Sequence, residues 1–108
     1  MSRFAKTPEP PYYVVVFTAL RKDADPAYDE MAERVFGLAS AQPGFLGLES
    51  CHDAEGFAVT ALYYADQESI LAWKQNAEHL EAQRLGKQRW YAQYQIRIAR
   101  VERAYGWA

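Results

Sequence analysis

Hydrophobic and polar residues follow two different periods along this chain, and the changes of period predict four strands and two helices. The first strand is Tyr12–Arg21, with the sequence YYVVVFTALR, which is rich in β-branched and aromatic residues and has prolines only at its entrance. Apolar residues occupy both of its faces, whereas a strand with one solvated face alternates between apolar and polar residues. This strand is therefore expected at the centre of a sheet, covered on both sides.

A helix is predicted directly after this strand. Asp25 is a suitable N-cap, and Pro26 favours the first helical position. Apolar residues then recur at helical spacing and form one stripe, made of Tyr28, Met31, Val35 and Leu38. The sequence Gln42-Pro43-Gly44 ends the helix.

Two further strands are predicted at 45–52 and 56–64, and the turn Asp53-Ala54-Glu55-Gly56 joins them as a hairpin. Gly47 lies inside the first of them, which indicates either a bulge or the close approach of another part of the chain. Because side chains alternate along a strand, Tyr63 and Tyr64 point to opposite faces of the sheet. One of them is expected on the side of the helices and the other on the opposite side.

The candidate site is expected in the stretch 56–85. After the third strand, Asp66 caps a second helix whose apolar stripe is Ile70, Trp73, Ala77 and Leu80. This helix is expected to break or change axis within 76–78 and to resume as far as residue 85 or 86. It carries Asn76 and His79 close to the tryptophan. A last strand is predicted at 91–105, with a bulge near Ile98-Ala99.

The order β-α-β-β-α-β predicts an α+β, ferredoxin-like fold, with a four-stranded antiparallel sheet and both helices on one face. Two helices cannot cover both faces of the sheet, so a single chain would expose a large apolar patch. A homodimer in which two sheets pack face to face, as a dimeric α+β barrel, removes this exposure. Residues 1–11, which are rich in proline, are expected to be a flexible arm, and residues 12–108 a single domain.

Composition and charge reduce the number of functions that the sequence allows. Of the 108 residues, 50% are hydrophobic and 15% are aromatic, so some aromatic rings are expected to line a cavity or an interface. The net charge is −2, but basic residues concentrate in 84–108, namely Arg84, Lys87, Arg89, Arg97, Arg100 and Arg103. Complementary charges between elements or chains explain this pattern, and so does a pocket for an anionic substrate. Nucleic-acid binding is not expected, because these basic residues alternate with apolar ones.

The single cysteine, Cys51, excludes an intrachain disulfide and a zinc cluster built from cysteines. The first residues, MSRFAKTPEPPYY, lack the apolar segment of a signal peptide. No stretch approaches the ~20 apolar residues of a transmembrane helix. The expectation is a cytoplasmic protein that does not bind membranes.

Four segments carry a resemblance to a known family. They are the first strand YYVVVFTALR, the link QPGFLGLES, the strand-to-helix segment ALYYADQESILAWKQNAEHL and the closing RWYAQYQIRIARVERAYGW. Together they resemble the antibiotic biosynthesis monooxygenase (ABM) family of small dimeric α+β barrel proteins. The resemblance covers about residues 12–107.

The resemblance implies a monooxygenase that uses no metal, flavin or other cofactor. A phenolic, anthrone-like or quinone-like aromatic substrate loses a proton in such an enzyme, and its anion reduces O₂ directly. His79 and Asn76 are the candidate catalytic residues, with His79 as the general base. The candidate substrate-binding residues are Trp73, Phe17, Tyr63, Tyr64, Trp90 and Arg97.

Two other functions stay open. The first strand lacks the Asn that several members of the family carry there, and Thr18 is the polar side chain it offers instead. This difference favours a non-catalytic dimer of the same fold that binds a small molecule or a partner. A haem-degrading monooxygenase is a weaker alternative, because His79 lies about one turn before the family's haem-binding position and Arg84 occupies the later region. Trp73 and His79 are also explained without any function, as a core residue and as a side chain beside a helix break.

Overall fold

The computed structural model describes residues 3–22 and 26–107, without the side chains of residues 77, 78 and 88. The elements are strand β1 (Tyr12–Arg21), helix α1 (Pro26–Ala41), strands β2 (Phe45–His52) and β3 (Phe57–Tyr64), helices α2 (Gln67–Lys74) and α3 (Ala77–Leu85), a π-helical turn (Gly86–Trp90) and strand β4 (Tyr91–Val101). The predicted order of strands and helices is confirmed. The N-cap predicted at Asp25 lies outside the described residues.

All four strands form one antiparallel sheet in the order β2-β3-β1-β4, which is the ferredoxin-like arrangement. Strand β1 is central, as predicted, and its Val15 pairs with Leu62 of β3 and Ile98 of β4. Alternation along the strands gives the sheet two faces. The face away from the helices, called the free face below, carries Val14, Val16, Thr18, Leu20, Phe57, Val59, Ala61, Tyr63, Arg97 and Ala99.

The core lies between the sheet and the helices. Its buried residues come from β1, α1, β3 and α2, and they are Val15, Ala39, Leu62, Tyr64, Ile70 and Trp73. Helix α2 buries Ile70 and Trp73, which are three residues apart and therefore lie on one side of the helix. The helices thus cover one face of the sheet only, as the sequence predicts. None of the described helices has the length and the apolar character of a membrane span.

Three details of the strands differ from or refine the sequence predictions. The expected bulge near Ile98-Ala99 is wrong, because the pairing of β1 with β4 is regular there and its register shifts at Leu20/Arg21 instead. Strand β4 ends at Val101, not at residue 105. At Gly47, both explanations hold: the register of β2 shifts between Phe45 and Gly47, and a Cβ on Gly47 would lie 2.9 Å from Cβ of Ala5.

The segment before β1 lies against the free face at its β2 edge. The backbone N–H of Ala5 donates to one carboxylate oxygen of Glu49 at 3.1 Å, and the hydroxyl of Tyr63 donates to the other at 2.7 Å. These contacts join the segment to two strands. That residues 1–11 act as a flexible arm to a domain of residues 12–108 stays a prediction.

Asp66 caps α2, as the sequence predicts. Its Oδ1 accepts hydrogen bonds from the backbone N–H of Ser69 at 2.8 Å and from its hydroxyl at 2.9 Å. These bonds favour the carboxylate and hold the pKa of Asp66 below its usual value. The stability contributed by this cap is therefore present above the unfolded pKa of the carboxyl group and is lost as the pH falls through the folded one.

We expect Asp66→Ala to lower the melting temperature at pH 7 by roughly 4 °C, because it removes the acceptor of a helix N-cap. Asp66→Asn is the matched control, because the amide keeps an acceptor oxygen without the charge and should cost less. Thermal unfolding followed by circular dichroism measures both. Equal melting temperatures for Asp66→Ala and the wild type would show that the cap contributes nothing.

Candidate active site

A cavity of about 270 Å³ lies between the sheet and the helices. Its wall is mostly apolar and aromatic and comes from β1, α1, β3, α2, α3, the π turn and β4. The lining includes Phe17, Tyr28, Trp73, Lys74, His79, Trp90 and Tyr91. Volume and lining are those of a site for a small, largely apolar molecule.

One end of the cavity is formed by Trp73 and His79. Helix α2 ends at Lys74, and the backbone N–H of Gln75 donates hydrogen bonds to the carbonyls of Leu71 and Trp73. Helix α3 then starts at Ala77, and the imidazole of His79 lies 4.1 Å from the indole of Trp73, centroid to centroid. In an uninterrupted helix, residues six positions apart would lie about 120° apart around the axis. The break lies at Gln75 and Asn76, so it overlaps the predicted 76–78 at Asn76, and it makes this contact possible.

His79 is neutral at pH 7. Its side chain is buried, and burial together with the nearby charge of Lys74 lowers the pKa of the imidazole from its usual value near 6.5. Its Nδ1 is buried and has no hydrogen-bond partner among the described residues. A neutral imidazole has one nitrogen that accepts a proton, so His79 has the protonation state of a general base.

The other end of the cavity is formed by aromatic rings. Tyr91 packs against Phe17 and Tyr28 with ring centroids 5.6 Å apart in each pair, and its hydroxyl donates to that of Tyr28 at 3.0 Å. The indole of Trp90 packs edge-on against Tyr28, at 5.6 Å. Outside this cluster, the guanidinium of Arg21 lies over the ring of Tyr28 at 4.0 Å, a cation–π contact.

Buried donors without partners distinguish this cavity from an ordinary core. The indole N–H groups of Trp73 and Trp90 are buried and have no partner among the described residues. A buried polar group without a partner costs free energy, and native proteins leave few of them. Both indoles belong to residues that line the cavity, and neither N–H has an acceptor among the described residues.

The predicted site residues fall into two groups. Trp73, His79, Phe17 and Trp90 line the cavity. Tyr64 lies behind its wall, with its ring stacked on Trp73 at 6.3 Å, and burial raises its pKa to about 12. Tyr64 therefore keeps its proton at neutral pH and does not act as a base.

The remaining predicted residues lie elsewhere. Tyr63 and Arg97 are on the free face, because they pair with Val14 and Val16 on the strand side opposite the cavity. Burial of Tyr63 and its hydrogen bond to Glu49 raise its pKa to about 12. Asn76 is at the break between α2 and α3, where its backbone bonds to Trp73 and Leu80, and it is not among the residues that line the cavity. Four of the eight predicted site residues therefore line the cavity.

Sequence reasoning missed the tyrosines of the aromatic end as site residues. Tyr28, Tyr91 and Tyr94 all line the cavity. Tyr28 had a usable signal, because it is the first residue of the apolar stripe of α1. Tyr91 and Tyr94 are three residues apart, so in a regular strand their side chains would point to opposite faces of the sheet. The shifted register of β4 at its start removes that alternation, and the sequence alone does not show the shift.

The four-stranded sheet, the helices on one face and the aromatic cavity between them define a ferredoxin-like α+β protein with a cavity of small-molecule size. Residues 11–85 match the sequence profile of the antibiotic biosynthesis monooxygenase family, and the chain belongs to that family. It is 43% identical over 103 residues to uncharacterized protein YqjZ of Bacillus subtilis, in a match that covers 95% of this chain and 90% of that one.

Solved structures show the same fold. SnoaB, a cofactor-independent oxygenase from Streptomyces nogalater, superposes with a TM-score of 0.69 at 10% identity, over 90% of this chain and 97% of that one. Rv0793 from Mycobacterium tuberculosis gives a TM-score of 0.66 at 13% identity, over 92% of this chain and all of that one (100%). At these identities the likeness concerns the fold alone.

Proposed function

We propose that this protein is a monooxygenase that oxidises a small aromatic molecule bearing an acidic hydroxyl group, with no bound cofactor. Membership of the monooxygenase family supports the reaction class. The observation that carries the proposal is the neutral, buried imidazole of His79 in the wall of an otherwise apolar and aromatic cavity. An aromatic ligand fits such a wall, and an acidic hydroxyl is the group on which a neutral imidazole acts.

In the proposed reaction, His79 removes the proton of the substrate hydroxyl. The resulting anion transfers electron density through its ring to O₂, and a ring carbon bonds to one oxygen atom. That oxygen remains as a new carbonyl, the other leaves as water, and the substrate supplies both electron pairs. The balance for a phenol is therefore one O₂ consumed, one quinone formed and one water released.

The indole N–H of Trp73, which lies beside His79, is proposed to stabilise the anion. It is a buried donor without a partner among the described residues, and a donor in a dry cavity stabilises a developing oxyanion far more than one in water does. The apolar wall keeps water from the reactive anion. Lys74 is exposed at the wall and adds a positive charge on the same side as His79.

The alternative of a non-catalytic binding dimer has one observation in its favour. Thr18, the polar side chain that β1 offers in place of the family's Asn, lies on the free face, where it pairs with Val59 and Gln95. The residues that β1 gives to the cavity are Val15 and Phe17, which are both apolar. Catalysis would then depend on α2, α3 and the π turn alone.

Haem degradation has little support from the cavity. Its volume of about 270 Å³ lies below the range of roughly 300–1,000 Å³ typical of drug-sized and cofactor sites, and a porphyrin is larger than most such ligands.

We also propose that the protein is a homodimer of two sheets that pack by their free faces. Leu20, Phe57 and Val59 are 38%, 44% and 37% exposed on this face in the single chain. A contiguous apolar patch on a sheet marks an interface, and a two-fold axis lets the same patch cover itself. That the dimer works in the cytoplasm stays a prediction.

Oxygen uptake tests the proposed function. The purified protein is mixed with 1-naphthol or with an anthrone in an oxygen electrode, and separately with haem while the Soret band is followed. We expect one O₂ consumed per substrate, with no oxygen returned on addition of catalase, because the second oxygen atom leaves as water and not as peroxide. Uptake no faster than in buffer, together with saturable binding of the same compounds, would instead establish the binding dimer, and a Soret shift would establish haem binding.

A further inference from the structure

The π-helical turn fixes the position of two cavity residues. The backbone N–H of Tyr91 bonds to the carbonyl of Gly86, which closes the wide turn. The carbonyl of Trp90 accepts from the backbone N–H of Lys22 at 2.8 Å, which ties the end of the turn to the end of β1. Single π turns interrupt regular helices and are frequent at functional sites. In this protein the π turn places Trp90 and Tyr91 at the aromatic end of the cavity.

Gly86 has no room for a side chain. A Cβ at this position would lie 2.9 Å from Cδ2 and 3.0 Å from Cε2 of the Tyr91 ring. The backbone does not require glycine here, because the glycines with positive φ are Gly44, Gly47 and Gly56. The reason for glycine at position 86 is therefore the ring of Tyr91.

The ring of Tyr91 cannot move aside freely. It is packed between Phe17, Tyr28 and Tyr94 at centroid distances of 5.6 to 5.7 Å and is hydrogen-bonded to Tyr28. A methyl group on Gly86 would push the ring away from the π turn and toward these neighbours, which themselves line the cavity. Tightly packed aromatic clusters transmit such a displacement instead of absorbing it.

We infer that Gly86 is a specificity-determining residue: it lets the ring of Tyr91 lie back against the π turn, which keeps the aromatic end of the cavity open and sets the largest ring system that fits. The inference rests on the proposed function, in which the cavity holds an aromatic ligand. A cavity of about 150 Å³ binds benzene, so the observed volume of about 270 Å³ suits a ligand of two fused rings. A smaller cavity would still accept one ring.

The substitution Gly86→Ala tests whether Gly86 sets the size limit of the cavity, and Gly37→Ala is the matched control. Gly37 is an exposed helical glycine, and a methyl group at this position would have no other atom within 4 Å, so its substitution changes backbone freedom without touching the cavity. Binding of phenol and of 1-naphthol is measured by quenching of tryptophan fluorescence, since Trp73 and Trp90 are in the wall. We expect Gly86→Ala to weaken 1-naphthol binding about tenfold and phenol binding less than about twofold.

A double variant separates the proposed contact from general damage to the fold. In a Tyr91→Leu background the ring is absent, so adding Gly86→Ala should change 1-naphthol affinity by less than about twofold. Near-ultraviolet circular dichroism of the proteins without ligand should also change on Gly86→Ala and not on Gly37→Ala.

The outcomes are distinguishable. Equal weakening of both ligands, no weakening, or an undiminished effect in the Tyr91→Leu background would each overturn the role of Gly86 while leaving the cavity as a binding site. If the wild type binds neither compound and consumes no oxygen with any aromatic, the proposed function fails and the size limit fails with it. The circular dichroism comparison would then still decide whether Gly86 positions Tyr91.

Discussion

We expect His79→Gln to lower the rate of oxygen uptake by about 10²–10⁴-fold, because glutamine keeps a polar side chain at this place but cannot accept the substrate proton. Affinity for the aromatic substrate should change much less, since the apolar wall remains. His52→Gln is the matched control. His52 lies at the end of β2 and is exposed, so its substitution should leave the rate close to that of the wild type.

The pH dependence gives a second measurement of the same residue. The pKa of His79 is lowered from 6.5, so the wild-type rate should be flat near neutral pH and should fall only below pH 6.5, as the imidazole is protonated. The same shift predicts lower stability in acid, because below pH 6.5 the unfolded chain binds a proton that the folded one does not. His79→Gln should lose both effects. An acid limb retained in the variant would assign the proton transfer to another group.

We expect Val59→Asp to convert a dimer into monomers. Val59 is 37% exposed on the free face of the single chain and would be buried in the proposed dimer. A two-fold axis places the new carboxylate in the interface twice, and a buried charge without a partner costs several kcal/mol. Size-exclusion chromatography with light scattering at about 10 μM should give twice the chain mass for the wild type and the single chain mass for the variant.

Leu71→Asp is the control for this experiment. Leu71 is 54% exposed on α2, on the side of the helices, so a charge there should leave the dimer intact. Val59→Ala should weaken the dimer less than Val59→Asp does, because it removes apolar area without burying a charge. A wild-type protein with the mass of one chain at this concentration would remove the dimer from the proposal and leave the free face as an exposed sheet.

The number of strands, the order of the elements and the fold can be predicted from the sequence, because each depends on local patterns. The signals for these features each span only a few residues. They are the period of two in the strands, the period near 3.6 in the helices, the helix cap at Asp66 and the turn before Gly56. The two apolar faces of β1 are enough to place it at the centre of the sheet. A break in the second helix is also predicted, at 76–78, and the structure places it one residue earlier, at Gln75 and Asn76.

The composition of the site can be predicted only in part, because it depends on which residues meet. Tyr63 and Tyr64 are adjacent, and alternation shows that they diverge, but only the packed helices show which one faces the cavity. The charge of Arg97 suggests a site residue, whereas the register of β4 against β1 puts it on the free face. Nothing in the local sequence fixes that register in advance, because both faces of β1 are apolar.

The sequence by itself determined the strands, the helices, their order and hence the ferredoxin-like class, since these follow from periodicity and from the chemistry of caps and turns. Only the tertiary structure decided that the break after Lys74 places His79 against Trp73, and that the π turn places Trp90 and Tyr91 in the wall of the same cavity. The physical reason is that both contacts depend on how α3 packs against α1, α2 and the π turn, which no window of neighbouring residues contains.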